Sequence, residues 1–284
     1  MTDLVDQTAR SAAPARRLRL PRRLGAWLAL GYVLLAVVVT VLIPFLPVQD
    51  PDAQELTNTL GPLSADHWLG TDDLGRDLFS RLMWAVHTSL LAALTAVAVA
   101  VLIGLPLGLL AGYVGGWADA VLSRLADVVL TVPALILLLA AQTALDTGIQ
   151  GQMVVLGVIF APRILRVVRT QTLQVAAAPF VSAGRMSGCS HTRIVGRYLL
   201  PGVRAQLAVQ ASYLLGLSLV VEAGISFLGI GVRPPGSSLG TLLIGASSML
   251  STEPRVVLIP AVVLTLLILS LNVLGDQLTE ERKK

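Results

Sequence analysis

The chain has 284 residues and a formal net charge of +4, with 55% hydrophobic and only 13% charged residues. Mean hydropathy is +0.77. A soluble globular domain carries about 25% charged residues, so an ordinary soluble enzyme is excluded, and the apolar content excludes a disordered chain. The only lysines are Lys283 and Lys284, so the chain has no G-x-x-x-x-G-K-[ST] loop for binding nucleotide phosphates. A single cysteine, Cys189, permits neither an intramolecular disulfide nor a cysteine metal cluster.

A membrane-spanning helix needs about 20 apolar residues; four stretches reach that length, and two shorter ones, of 18 and 16 uncharged residues, bring the predicted count to six. Residues 1–23 form a basic segment, and span one follows at 24–46. Its length, and the Ile43-Pro44-Phe45-Leu46-Pro47 sequence after it, read as an anchor rather than a cleaved secretory signal. Spans two and three are predicted over 83–112 and 121–145. Span four, over 147–169, passes Pro162 and carries Arg163, Arg166 and Arg169 into the headgroups, where long arginines can snorkel. Spans five and six cover 205–230 and 256–275, and 276–284 is a tail.

With the N-terminus inside, the inner segments carry 17 of the 21 basic residues and the outer ones carry 4. The positive-inside rule then places both termini in the cytoplasm. The same distribution accounts for the basic pI without nucleic acid. The Arg16-Arg17 and Arg22-Arg23 pairs suit anionic lipid headgroups.

The first outer loop is acidic and ends in a short amphipathic helix. Thr71 or Asp72 is its expected cap, Leu74, Leu78 and Leu82 its apolar face, and Asp77–Arg81 an i, i+4 ion pair. His67, Asp72, Asp73 and Asp77 are candidate metal or substrate ligands, but their spacing matches no metal motif. The favoured reading is a solvated, capped helix on the membrane surface, with no metal.

Gly104, Gly108, Gly112 and Gly116 fall four residues apart. Such small-residue spacing lets helix backbones approach closely in lipid, so a packing seam is expected, more readily against this chain's own spans than a partner's. Pro106 lies within it and is a potential kink.

The segment from Arg163 to Arg204 has seven arginines and no acid. Pro179 must start or kink a helix, Gly188 offers a turn, Ser190 can cap a second helix over 191–200, and Pro201 is expected to stop it. The prediction is a cytoplasmic two-helix bracket over 171–201. Glu222 is the acid placed well inside a span. It either lines a water-filled path or bonds a neighbouring helix end. His67, His87 and His191 fall outside, in span two and inside, and cannot form one catalytic centre.

Three blocks resemble a known family: His67 to Leu82, HWLGTDDLGRDLFSRL; Phe180 to Pro201, FVSAGRMSGCSHTRIVGRYLLP; and Glu222 to Pro235, EAGISFLGIGVRPP. Leu274-Gly275-Asp276 also fits. Together they are similar to the inner-membrane permease of bacterial ABC importers of the peptide/nickel class, specifically the second of the two permease subunits. The resemblance implies an all-α, six-helix membrane permease in the bacterial cytoplasmic membrane. It is not itself an enzyme, and ATP and magnesium are handled by two separate ATP-binding subunits. It implies a second homologous permease and an extracytoplasmic substrate-binding protein as further partners, with lipid around them.

In this family the cytoplasmic EAA loop couples to the ATPase. The Glu-Ala-Ala positions here are Ser182-Ala183-Gly184, so the glutamate is absent. Gly188, Ile194 and Pro201 are kept, and Arg193 and Arg197 lie in the same loop. The family's substrates are dipeptides, oligopeptides, nickel or metal chelates. Span interiors without His, Cys or acid clusters favour peptides, with nickel the runner-up. A self-sufficient channel or secondary transporter would show coupling acids near the midplane, and only Glu222 qualifies. A membrane enzyme is disfavoured by the scattered histidines.

Overall fold

The computed structural model describes residues 22–145, 148–244 and 249–280. The expected basic segment up to residue 21, including Arg16 and Arg17, and the tail from 281 to 284 lie outside the described residues. All regular elements among the described residues are helical: α1 (Arg22–Leu42), α2 (Leu78–Val114), α3 (Gly116–Thr131), α4 (Ala134–Leu145), α5 (Ile149–Ala176), α6 (Pro179–Met186), α7 (His191–Phe227) and α8 (Pro254–Glu280). Among them, α1, α2, α5, α7 and α8 are long and apolar enough to cross a membrane, and α3 with α4 makes a sixth if the pair counts as one bent span.

That bent pair corrects the expectation of one straight span over 121–145. α3 and α4 meet at 85°, with Val132 extended (ψ 128°) and Pro133 next. A proline disfavours helical backbone in the residue before it, and it has no N–H to continue the ladder. By contrast, α2 continues through Pro106 and α5 through Pro162. The helix continues past Arg163, Arg166 and Arg169, as the fourth span required.

α2 and α5 run side by side in the same direction. A Cβ on Gly104 would lie 2.6 Å from Ala161 O and from Ile164 Cβ; one on Gly108, 2.7 Å from Val168 Cβ; one on Gly112, 2.7 Å from Thr172 Cβ. Gly157 of α5 makes the reciprocal approach, 2.6 Å from Ala96 O. Each four-residue step on α2 matches a four-residue step on α5, so the seam packs within this chain. Gly116 departs from it: it lies past the end of α2 with φ +58°, and nothing approaches its Cβ position.

Around this seam Ala92, Ala96, Ala100, Met153, Leu156, Phe160, Ile164 and Leu214 form one core. A second joins α1, α2, α7 and α8 through Ala36, Leu82, Leu90, Leu219, Leu264 and Leu267. Many large apolar side chains, such as Trp27, Leu102 and Val128, point outward, as they should where the solvent is hydrocarbon. On the inner side of the molecule Asp119 and Asp127 of α3 bind Arg169 and Arg166 of α5. The Arg169 Nη2 to Asp119 Oδ2 bond is 2.6 Å.

Candidate functional site

The outer loop is a folded cap. Its helix begins at Leu78, and the N-cap is Asp77, whose Oδ2 accepts from Ser80 N–H at 2.8 Å; neither Thr71 nor Asp72 caps it. Asp72 Oδ1 instead accepts from the backbone N–H of Leu74 and Arg76, while Oδ2 accepts from Arg76 Nε at 2.8 Å and forms an ion pair with Arg81, whose Nη1 lies 3.1 Å away. Arg81 therefore pairs with Asp72, not with Asp77. Leu74 belongs to the turn rather than the helical face, which Leu78 and Leu82 supply.

His67 Nδ1 lies 3.1 Å from Asp77 Oδ1. The four candidate ligands are thus split between two separate groups, His67 with Asp77 and Asp72 with its arginines, and Asp73 points to solvent with its carboxylate 3.7 Å from Arg76. Arg255, at the start of α8, donates to Leu60 O at 2.9 Å and to Gly61 O at 2.6 Å, tying the loop to the helix bundle. Burial pushes the Asp52 carboxyl above its usual range; Asp50 adds to this and Arg76 opposes it.

Beneath this cap lies Glu222, fully buried on α7. Ser226 Oγ, one turn further along, donates to its Oε1 at 2.8 Å. The hydroxyls of Ser89 on α2 and Ser238 face the same carboxyl, though Oε2 has no partner within hydrogen-bonding geometry. The chain after α7 folds back here. Val232 N–H donates to Ser226 Oγ at 3.3 Å and Leu239 N–H to Ser89 Oγ at 3.0 Å. A Cβ on Gly240 would lie 2.5 Å from Ala223 O, so only glycine fits against α7 at that point. Glu222 thus bonds Ser226 on its own helix, and the returning loop closes over the pair.

Further in, Gln152 Nε2 on α5 donates to Ile230 O at 2.9 Å and to Gln142 on α4. The contributions of Ser89, Ser238 and Gln142 were not anticipated. Isolated serines and glutamines in apolar runs carry no periodic signal, and only the tertiary fold brings them to Glu222 and Gln152.

On the opposite side, α5 ends at Ala176 and Pro179 opens α6. A tight turn follows at Gly188 (φ +76°). Ser190 Oγ accepts from Arg193 N–H at 3.4 Å, the expected cap. Pro201 does not stop the second helix. α7 continues through it, because residues 195–199 form a π-helical turn. A wider turn just before proline accommodates the missing donor and the bulk of its ring. The bracket is therefore one continuous piece with α7.

Val181, Ile194 and Leu199 form its core, with Tyr198 and Val175 packed on it. Gly184 is buried against Tyr198. Ser182, Ala183, Gly188, Arg193 and Arg197 are exposed, as are Phe180 and Met186. Tyr113, at the end of α2, has its hydroxyl 2.8 Å from His191 Nδ1, and Arg185 stacks 5.1 Å over its ring. The three histidines stay apart: His67 meets Asp77, His87 meets Thr40 O at 2.7 Å, and His191 meets Tyr113.

One long helix, α7, thus runs from the exposed bracket on one side to the polar plug on the other. Residues 104–280 match the model of the family described as "Binding-protein-dependent transport system inner membrane component". The chain is 37% identical over 266 residues to the "Glutathione transport system permease protein GsiD" of Salmonella typhimurium (strain LT2), covering 92% of this chain and 87% of that protein. It is 35% identical over 220 residues to the protein of the same name from Pectobacterium atrosepticum, covering 78% and 73%. Among solved structures, an inward-facing form of the MetNI methionine ABC transporter superposes with a TM-score of 0.57 at 24% identity, over 72% of this chain and 97% of that one. At that identity the likeness shows the fold.

Proposed function

As a member of the family of binding-protein-dependent transport system inner membrane components, this chain is an inner-membrane transport component, and we propose that it is the second permease subunit of an ATP-driven importer of small peptides. Both termini face the cytoplasm, so residues 1–23 and 276–284 lie there, and 24–275 is the permease domain. Two separate ATP-binding subunits hold ATP and magnesium. A homologous permease completes the path, an extracytoplasmic binding protein delivers the substrate, and lipid headgroups meet the basic N-terminal segment.

The observation that carries this reading is the bracket. Ser182, Ala183 and Gly188 are presented outward on α6 and its turn, while the second arm is continuous with α7 through the π-helical turn. A push on the bracket therefore reaches the buried Glu222 end of α7 as a rigid-body movement. Gly184 and Ile194 keep the two arms packed, Arg193 and Arg197 belong to the docking face, and Pro201 sits inside the connecting helix.

The peptide assignment draws on the glutathione permeases among the relatives, since glutathione is a peptide. The nickel reading is the runner-up; the Ser182-Ala183-Gly184 variant favours it. Matched strains with and without this gene decide between them. Loss of labelled di- and tripeptide uptake with nickel uptake intact supports the peptide reading. Loss of nickel uptake alone overturns it.

A further inference from the structure

Between the end of α2 and the bracket lies a cavity of about 810 Å³, whose lining includes Tyr113, Val114, Arg185, His191 and Thr192. Its polar groups are a phenol, a guanidinium, an imidazole and a hydroxyl, with no carboxylate among the described residues. Arg185 is folded back toward α2, its Cζ 5.1 Å from the centre of the Tyr113 ring. The Tyr113 hydroxyl lies 2.8 Å from His191 Nδ1; when it donates there, the imidazole proton sits on Nε2, which is left as a donor. The surroundings add no acid. There is none between Arg163 and Arg204, and Asp119 and Asp127 of α3 are already bound to Arg169 and Arg166. The cavity suits an anion that accepts several hydrogen bonds, as a phosphate does.

A Cβ on Gly112 would lie 2.8 Å from Arg169 O, so Tyr113, the next residue, is level with an arginine that falls among the headgroups. Trp117, exposed one turn beyond Tyr113, suits the same interface. Toward the bilayer core, Leu102, Pro106, Leu110 and Val114 follow one another at four-residue steps and are all exposed, which makes them one apolar strip along α2. Val114 both ends this strip and lines the cavity. From 102 to 114 the strip is about 18 Å long, comparable with one leaflet's half of a hydrocarbon core of about 30 Å. A cationic pocket continuous with an apolar track of this length has the two-part form of a phospholipid.

We propose that this cavity holds the phosphate of an anionic phospholipid of the inner leaflet, with an acyl chain lying along Leu102, Pro106, Leu110 and Val114. Arg185 is the main contact, held by its stacking on Tyr113, and His191 and Thr192 supply further donors. The missing carboxylate selects a net negative headgroup. The ammonium of a phosphatidylethanolamine finds no partner there and is repelled by Arg185, whereas a phosphatidylglycerol has no cation to place. The bound lipid braces the bracket against the end of α2. Ser182, Ala183 and Gly188 are not among the lining residues, so the lipid leaves them free for the coupling contact. The inference rests on the placement of the bracket at the membrane surface and is independent of the substrate and of the ATPase contact.

The test uses the assembled importer, and the permease alone, in proteoliposomes doped with phosphatidylglycerol or phosphatidylethanolamine that carries a photoactivatable diazirine in its acyl chain. After illumination, labelled residues are located by peptide mass spectrometry. Phosphatidylglycerol is expected to label residues 102–114 several-fold more than phosphatidylethanolamine does. Arg185→Ala is expected to cut that labelling about tenfold, while Arg185→Lys, which keeps the charge but loses the fork, falls between. Labelling of the exposed face of α1 at Leu34 and Leu35 reports ordinary lipid contact and is expected to depend on neither headgroup nor variant. Millimolar inorganic phosphate is expected to leave the labelling of 102–114 unchanged.

Equal labelling of 102–114 by the two lipids, or labelling that Arg185→Ala leaves unchanged, overturns the proposal and reduces the strip to ordinary boundary-lipid contact. Protection by inorganic phosphate also overturns it and makes the cavity a free-phosphate site. So does labelling that is present in the permease alone and lost in the assembled importer, which puts a partner's side chain in the cavity. None of these results touches the proposed function, which the uptake assay tests separately.

Discussion

Replacing Gly108 with alanine perturbs the α2–α5 seam by a single methyl group. The new Cβ would stand 2.7 Å from Val168 Cβ, 2.8 Å from Leu165 O and 2.9 Å from Val168 Cγ1. Two of those atoms belong to a β-branched side chain with one favoured rotamer in a helix. The third is backbone within α5. None can swing away, so the helices must separate. Overpacking of this kind costs about 1–3 kcal/mol, while alanine's better helix propensity returns at most about 1 kcal/mol. The net expectation is a loss of up to about 2 kcal/mol.

The natural control is Gly31→Ala in α1, where nothing lies within 4 Å of the added methyl and propensity alone acts. Thermal unfolding of the detergent-solubilised chain, read by helical circular dichroism, is the assay. Gly108→Ala should melt several degrees below the parent, and Gly31→Ala at or slightly above it. Equal melting temperatures for the two variants would refute the seam.

Gly188→Val should uncouple ATP hydrolysis from uptake while leaving the permease in the membrane, because a β-branched residue is poorly tolerated at φ +76°; unchanged uptake would place the functional turn elsewhere. Asp72→Ala should destabilise the outer cap by about 3–5 kcal/mol, since the buried Arg81 and the partly buried Arg76 lose their shared carboxylate; limited proteolysis from the outer side should then cut between residues 48 and 77. Arg255→Ala removes the donors to Leu60 and Gly61 carbonyls and should cost about 1–3 kcal/mol, measured as earlier cleavage of the same loop.

Much of the fold was legible because lipid imposes simple rules. A span must be long and apolar, and charge must gather on one side. Those rules located α1, α2, α5, α7 and α8. The bend between α3 and α4 was missed because residues 121–145 satisfy the hydropathy rule whether straight or bent; only Pro133, read with Val132, marks the break. The seam was legible at Gly104, Gly108 and Gly112 and misread at Gly116, whose spacing fits although the helix has already ended.

Local pairing was less legible. Asp77 and Arg81 have ideal helical spacing, yet Asp77 caps the helix, so its carboxylate faces back toward His67, and Arg81 finds Asp72. Pro201 looked like a stop because proline ends most soluble helices; the π-helical turn before it carries the chain through. The polar plug was visible only at Glu222. Beyond Ser226 on its own helix, the serines facing it come from α2 and from the returning loop, 133 and 16 residues away in sequence (Ser89 and Ser238).

The most direct test of the account is peptide uptake in proteoliposomes, comparing this chain alone with the complete importer plus binding protein. The account predicts ATP-dependent accumulation of labelled peptide only in the complete assembly, and none with the chain alone. Accumulation by the chain alone, without ATP, would contradict it.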